Sequence, residues 1–196
     1  MKNTQINNKG YVKGVCILFL FCLLSIINSM PAALLILNIQ VYHFTEVGLF
    51  AVLSGLILRG FALYALSFFR HVNGSLRIAF WTNALVIFFQ AIRLFQFISP
   101  APFISSRIVS DGIIPILVLI ANLSVIWGMS YMFKEASPRV SKGFKRLFIL
   151  MIISIAISFL LLGAIFLVLV NPLLLVYELY LLRYAYIHLR KESRTA

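Results

Sequence analysis

Two charged side chains in this sequence lie deep inside long apolar stretches, where each could bind a ligand or the other. Arg59 lies in the stretch 47–69, and Glu178 lies in NPLLLVYELYLLRYAYIHLR, which begins at Asn171. A guanidinium group in an apolar interior requires an anionic or polar partner. Glu178 is the one carboxylate deep inside an apolar stretch of the sequence. Two interpretations follow: a structural ion pair between Arg59 and Glu178, or an anion-binding site built around Arg59.

A row of polar residues occurs in the next apolar stretch. Four of them are spaced by seven, three and three positions, which places them on one broad face of a helix. Such a face lines a polar cavity or forms hydrogen bonds with neighbouring helices, and both interpretations stay open. In the second one, the long side chain of Arg93 extends toward the membrane surface. The four residues are Asn83, Gln90, Arg93 and Gln96.

A third group of polar residues lies in the segments that connect the apolar stretches. These residue types could form an acid–base set for an enzyme that acts on lipid-linked substrates at the membrane surface. A structural explanation is also open, because connecting segments need polar residues and Asp111 is placed to cap the helix that follows it. The group consists of His43, Glu46, Arg107 and Asp111.

The residue patterns of several cofactor sites do not occur in the sequence. A retinal protein needs a lysine inside a membrane helix, yet every lysine lies in a terminal or connecting segment. A transmembrane haem needs histidines inside apolar helices, whereas the 3 histidines lie at the ends of apolar stretches. His, Cys, Asp and Glu residues do not cluster at the spacing of a metal site. We therefore expect no cofactor and no metal.

The composition indicates which elements must position these side chains. Hydrophobic residues make up 62% of the 196 residues, charged residues make up 11%, and the mean hydropathy is +1.03. That leaves too little polar surface to cover a water-soluble protein, so the sequence predicts an all-α polytopic membrane protein. We expect one domain, residues 1–196, with a tight turn at Asn171–Pro172 and a bundle of six transmembrane helices. These helices are predicted at about residues 14–39, 47–69, 78–98, 112–133, 147–170 and 173–188.

The basic residues predict the orientation of this bundle. An even number of helices places both termini on one side, and most of the 17 lysines and arginines then lie on that side. Cytoplasmic segments are enriched in basic residues, so the N- and C-termini are predicted to be cytoplasmic and the protein to lie in the cell membrane. The loop from Lys134 to Arg146 is the main basic surface toward anionic lipid headgroups.

The sequence leaves three classes of function open. We favour a non-enzymatic small carrier, or a membrane subunit, that binds a small or amphipathic anionic ligand near Arg59, with Asn83, Gln90 and Arg93 lining the approach. The alternatives are a membrane interaction, immunity or assembly protein without a ligand site, and the enzyme described above. Expected partners are membrane lipids, such a ligand and a protein partner in the membrane. Nucleic acid is not expected, because the net charge of +12 is spread between apolar stretches rather than gathered in one patch.

Overall fold

The computed structural model describes residues 8–37, 44–98, 112–158 and 163–195, and almost all of them are helical. Side chains are described within 9–27, 52–95, 112–158 and 170–192. The prediction of an all-α protein is confirmed. The six helices are α1 (Asn8–Leu37), α2 (Phe44–Ser67), α3 (Gly74–Ile98), α4 (Ile114–Met132), α5 (Pro138–Ile157) and α6 (Gly163–Thr195).

Three of the helices are long and apolar enough to cross a membrane. A bilayer core about 30 Å thick requires about 20 apolar residues in helical conformation. The matching segments have mean hydropathies of 2.3, 1.6 and 1.8, and most of their surface faces outward. Apolar helices of this kind are typical of a protein embedded in a membrane. The segments are Lys9–Ile27, Gly74–Phe95 and Ile114–Met132.

The last two helices begin earlier than the sequence predicted. α5 begins at Pro138, whose fixed backbone angle suits the first turn of a helix, and it ends at Ile157. α6 continues through Asn171 and Pro172, so the tight turn predicted there is absent and that prediction is wrong. A proline inside a helix removes one backbone donor, but membrane helices tolerate it because neighbouring groups satisfy the freed carbonyl. The basic segment up to Arg146 is therefore largely the start of α5 and not a loop.

The helices form a closed ring in chain order. Among the described residues, each helix packs against the helix before it and the helix after it, and α6 packs against α1. No other pair of helices has Cα atoms within 8 Å of each other in this described part of the chain. A side chain that reaches from one helix to a helix that is not its neighbour must therefore cross the interior of the ring.

The apolar core fills one end of this ring. It combines the early parts of α1, α3 and α5 with the late parts of α2, α4 and α6, so successive helices run in opposite directions. Several large side chains there have no more than 1% of their surface exposed. Examples are Phe69, Phe133, Phe144, Leu66 and Leu182.

Polar side chains tie the helix ends together around this core. Asn73 precedes α3, and its Oδ1 accepts a hydrogen bond from the backbone N–H of Leu76 at 2.9 Å, as in an N-cap. Its Nδ2 donates to the backbone oxygen of Gly128 in α4 at 2.9 Å. Ser141 of α5 donates to the backbone oxygen of Ser130 at 2.7 Å. These bonds link α3 and α5 to α4 at the packed end.

Close packing at Gly128 gives a stability prediction. A Cβ atom at this position would lie 2.6 Å from Leu76 Cγ and 3.1 Å from the Leu76 backbone nitrogen, so α3 and α4 would have to separate. Gly128→Ala is expected to lower the free energy of unfolding by about 1 to 3 kcal/mol. Gly60→Ala is the control, because a Cβ atom there meets nothing within 4 Å and alanine favours the helix by up to about 1 kcal/mol. Denaturant unfolding of the purified proteins measures both, and equal stability of the two variants would contradict this packing.

Candidate functional site

Arg59 is bound by two amide side chains from two other helices. It lies in α2, about 12 Å along the helix from Ser67 at the packed end. Its Nη1 donates to Oδ1 of Asn83 at 3.0 Å and to Oδ1 of Asn122 at 3.1 Å. Asn83 belongs to α3, which is next to α2, whereas Asn122 belongs to α4, whose backbone does not pack against α2 among the described residues. The guanidinium therefore lies inside the ring.

A second hydrogen bond, made by its amino group, fixes the orientation of the Asn83 side chain. Only 1% of its surface is exposed, and its Nδ2 donates to the backbone oxygen of Ala79 at 2.9 Å. With the amino group used in this way, the carbonyl oxygen is left to accept from Arg59. This second bond fixes the acceptor, so the position of the guanidinium is set by the helices rather than by a flexible contact.

An aromatic ring completes the described contacts of the guanidinium. The Arg59 Cζ atom lies 5.6 Å from the centre of the Phe21 ring of α1, which is within the range of a cation–π interaction. Amide oxygens and an aromatic ring stabilise a cation, but neither removes its positive charge. None of the groups in direct contact with Arg59 is therefore negatively charged, and none neutralises the guanidinium.

Glu178 of α6 forms no salt bridge with Arg59. An ion pair closer than 4.0 Å joins His188 and Glu192 on α6, whereas no such pair joins Arg59 and Glu178, which are both described. The direct salt bridge between Arg59 and Glu178, one of the two interpretations of the sequence, is therefore not formed.

The other predicted site residues lie farther along α3. Gln90 is about 10 Å of helix beyond Asn83, and its Nε2 would lie 3.1 Å from a Cβ atom at Gly55 of α2. Its Oε1 is buried and accepts no hydrogen bond from the part of the chain that the structure describes. Arg93 is partly buried about 15 Å beyond Asn83 and makes no described contact with the Arg59 cluster. The side chain of Gln96 lies outside the described residues.

The proposed acid–base group at the rim also lies outside the described side chains. His43, Arg107 and Asp111 are not in the described ranges, and Glu46 is described only as part of the backbone of α2. The N-cap position of α4 is Ile113, which makes no side-chain capping bond. The cap predicted for Asp111 therefore remains a prediction.

Two residues of the cluster were not predicted from the sequence. Asn122 accepts a hydrogen bond from Arg59, and Phe21 packs against the guanidinium. Asn122 carried a usable signal, because it is a lone amide in the apolar sequence of α4 and such residues bind groups on other helices. Phe21 carried none, since nothing in the sequence distinguishes it from the other phenylalanines among the 18.

This arrangement suits the binding of an anionic group. A guanidinium carries five N–H groups, and those on Nε and Nη2 donate to no residue in the described parts of the chain. Their planar arrangement matches the two oxygens of a carboxylate or phosphate. Among the residues searched, no group of three or more His, Cys, Asp or Glu side chains could hold a metal ion.

Comparisons with protein-family models, curated proteins and solved structures find no match to this chain.

Proposed function

We propose that this protein is a non-enzymatic small carrier, or the ligand-binding membrane subunit of one, and that Arg59 binds the anionic group of a small or amphipathic ligand. In this proposal all six helices cross the cell membrane, and both termini are cytoplasmic. The ligand completes the contacts of a guanidinium that α2, α3 and α4 hold in the ring interior.

One observation carries the proposal, namely that neutral groups fix a charged guanidinium inside an apolar bundle. A structural arginine would be expected to contact the available carboxylate, because a direct ion pair offsets more of the cost of burying the charge than an amide does. Here Arg59 Nη1 is occupied by Asn83 and Asn122, and the carboxylate of Glu178 stays more than 4.0 Å away. The remaining N–H groups of the guanidinium are then suited to an external anion.

The six-crossing arrangement is supported by the ring and by the charges at its ends. α6 packs against α1 and α5, so α6 belongs to the same bundle as the three strongly apolar helices. Basic residues flank the packed end, where membrane proteins carry cytoplasmic lysine and arginine. The described ones are Lys9, Lys13, Arg70, Arg77, Lys134, Arg139, Lys142, Lys145, Arg146, Arg190 and Lys191.

The ligand is tested by identifying what co-purifies with the protein. The wild-type chain and Arg59→Gln are purified from the same membranes, and bound lipids and metabolites are identified by native mass spectrometry. We expect an anionic species that is bound to the wild type and lost from Arg59→Gln. Arg183→Gln is the control, because Arg183 lies on the exposed surface of α6 and its loss should leave the bound species in place. An unchanged inventory in Arg59→Gln would contradict the proposal.

The topology gives a separate prediction. α5 ends at Ile157 and α6 begins at Gly163, so a reporter domain inserted between these two helices is expected on the non-cytoplasmic side. A reporter fused after Ala196 is expected in the cytoplasm, because the sixth helix returns the chain across the membrane. Compartment-specific reporters, such as a phosphatase and a fluorescent protein, measure both positions. Reporters that lie on the same side of the membrane would contradict six crossings.

A further inference from the structure

We infer that the outer face of α5 binds one anionic phospholipid, with the phosphate on the first turns of the helix and the acyl chains on the turns that follow. This lipid site lies on the outside of the bundle. It is separate from Arg59 and goes beyond the proposed function, since it requires only that the helices lie in a membrane, as their apolar outer surfaces indicate.

Three basic residues share one face at the start of α5. Arg139, Lys142 and Arg146, called the α5 cations below, are all exposed. The helical repeat places them within an arc of about 60° and over about 10 Å of helix. The other side of the same turns packs into the core, where Phe144 and Leu147 have 0% of their surface exposed. The α5 cations therefore point away from the bundle as one group.

Described carboxylates do not neutralise this group. The α5 cations form no ion pair closer than 4.0 Å with any residue in the described ranges. Glu135, the acidic residue nearest to them in the sequence, is exposed in the turn before α5 and forms no such pair either. A phosphate group is a suitable counterion, because arginine donates two parallel hydrogen bonds to phosphate oxygens and lysine adds a further donor.

The same face becomes apolar directly after Arg146. Ile149, Leu150 and Ile153 are 55%, 44% and 47% exposed. Together with the α5 cations they occupy an arc of about 100°. Adjacent large apolar side chains at this exposure indicate an apolar neighbour. A phospholipid supplies both kinds of neighbour in the right order along the helix, because its phosphate lies at the membrane surface and its acyl chains lie in the interior.

Aromatic side chains mark the level at which this face changes from basic to apolar. Phe148 follows Arg146 by two residues, and the centre of its ring lies 4.8 Å from that of Trp127 in α4. The centre of the Trp127 ring lies 5.5 Å from that of Tyr131, which is 52% exposed. Tryptophan and tyrosine are enriched at the membrane–water interface. The rings thus indicate, independently of the charges, that lipid headgroups lie close to Arg146.

Basic residues on two other helices at the packed end provide a matched comparison. Lys9 and Lys13 of α1 and Arg77 of α3 are also exposed, and neither helix has a backbone that packs against α5 among the described residues. A diffuse attraction between the basic end and anionic lipids would depend equally on either set of three residues. A defined site on α5 depends on the α5 cations alone.

Native mass spectrometry of the purified full-length protein in detergent tests the inference. The probes are phosphatidylglycerol and phosphatidylcholine with the same acyl chains. We expect the wild type to bind phosphatidylglycerol at least about 10-fold more tightly. Changing all three α5 cations to glutamine should remove this preference, whereas Lys9→Gln, Lys13→Gln and Arg77→Gln combined should keep it. Equal binding of the two lipids by the wild type, or an equal loss in both triple variants, would overturn the inference.

Both triple variants are expected to fold, because glutamine has nearly the same helix propensity as lysine and arginine and all six positions are exposed. They also remove the same charge from the same end of the bundle. The comparison of the two lipids on the wild type does not depend on either variant.

Further measurements separate the lipid site from other occupants. Arg59→Gln should keep the preference for phosphatidylglycerol, and its loss would place the lipid at Arg59 and overturn the inference. Glycerophosphoglycerol, the headgroup without acyl chains, should not displace the lipid at equal concentration, because it lacks the groups that contact the apolar part of the face. Displacement at equal concentration would contradict this contact. A wild-type dimer that is abolished by changing the α5 cations would assign the face to a second copy and overturn the inference.

Discussion

Asn122→Asp is expected to abolish binding of the ligand while the protein remains folded. The Oδ1 atom of Asn122 accepts from Arg59 Nη1 at 3.1 Å, and aspartate has nearly the same shape as asparagine. The substitution therefore places a carboxylate in direct contact with the guanidinium and neutralises its charge. An external anion would then have to compete with an internal one, so we expect its affinity to fall by about 100-fold or more. Binding of the co-purified ligand measures the effect.

Asn122→Ala is the matched control for this variant. It removes the same hydrogen-bond acceptor without adding a charge, so Arg59 keeps its contact with Asn83 and its affinity for an anion. Thermal unfolding of both variants shows whether the fold is retained. Asn122→Asp is expected to be at least as stable as the wild type, because a charged acceptor strengthens the bond to arginine. Wild-type affinity in a folded Asn122→Asp protein would show that the ligand does not depend on the charge of Arg59.

Phe69→Ala is expected to produce the largest loss of stability. The Phe69 side chain is fully buried in the core at the packed end, where its ring stacks on Tyr11 at 5.7 Å. It also fills the space over Gly14, since a Cβ atom at Gly14 would lie 2.5 Å from the ring. Alanine would leave a cavity between α1 and α2, and we expect the free energy of unfolding to fall by about 3 kcal/mol or more. Denaturant unfolding in detergent measures this change.

Phe61→Ala is the control for the cavity. Phe61 lies in α2 with 43% of its surface exposed on the outside of the bundle, so lipid or detergent can occupy the space that the ring leaves. Because so much of the Phe61 side chain faces outward, the change in the free energy of unfolding should stay within about 0.5 kcal/mol. If Phe61→Ala and Phe69→Ala destabilise the protein equally, the core is not located at the packed end of the helix bundle.

The arrangement of core and polar cluster has a consequence for the site. The core side chains of α2, α3, α4 and α6 all lie between Arg59 and the end of the bundle that holds the basic residues. They pack α2 and α3 together and so fix the separation between Arg59 and Asn83. Because the core is not part of the site, its stability and the binding of a ligand can be changed by separate substitutions.

Physical reasoning from the sequence identified the helical class and part of the cluster. Apolar stretches must be helical inside a membrane, because every backbone polar group has to be satisfied within its own segment. The cost of a charge in such a stretch marked Arg59 and Glu178 as residues of interest, and the helical repeat marked Asn83. Arg59 and Asn83 are joined by a hydrogen bond in the structure, whereas the role of Glu178 stays a prediction.

Other features were not accessible from the sequence, for different physical reasons. Whether Asn122 or Glu178 contacts the guanidinium depends on which helices are neighbours and on their rotation, and neither is encoded in a local pattern. The end of α5 was misplaced because Asn171–Pro172 is a common turn signal in soluble proteins, and the helix nevertheless continues through it. The start of α5 was missed because its first turns carry basic residues and resemble a connecting loop. In the structure, Val140 and Phe144 of these turns are buried in the core.

The central claim is that the charge of Arg59 is held for a ligand and not for Glu178. An experimental density map of the protein purified from its own membranes, at a resolution that shows side chains and lipid headgroups, tests this claim most directly. We predict density for an anionic group within hydrogen-bonding distance of Nε or Nη2 of Arg59, with Asn83 and Asn122 still bound to Nη1. A closed bundle in which the Glu178 carboxylate contacts the guanidinium directly, with no other group beside it, would contradict the claim.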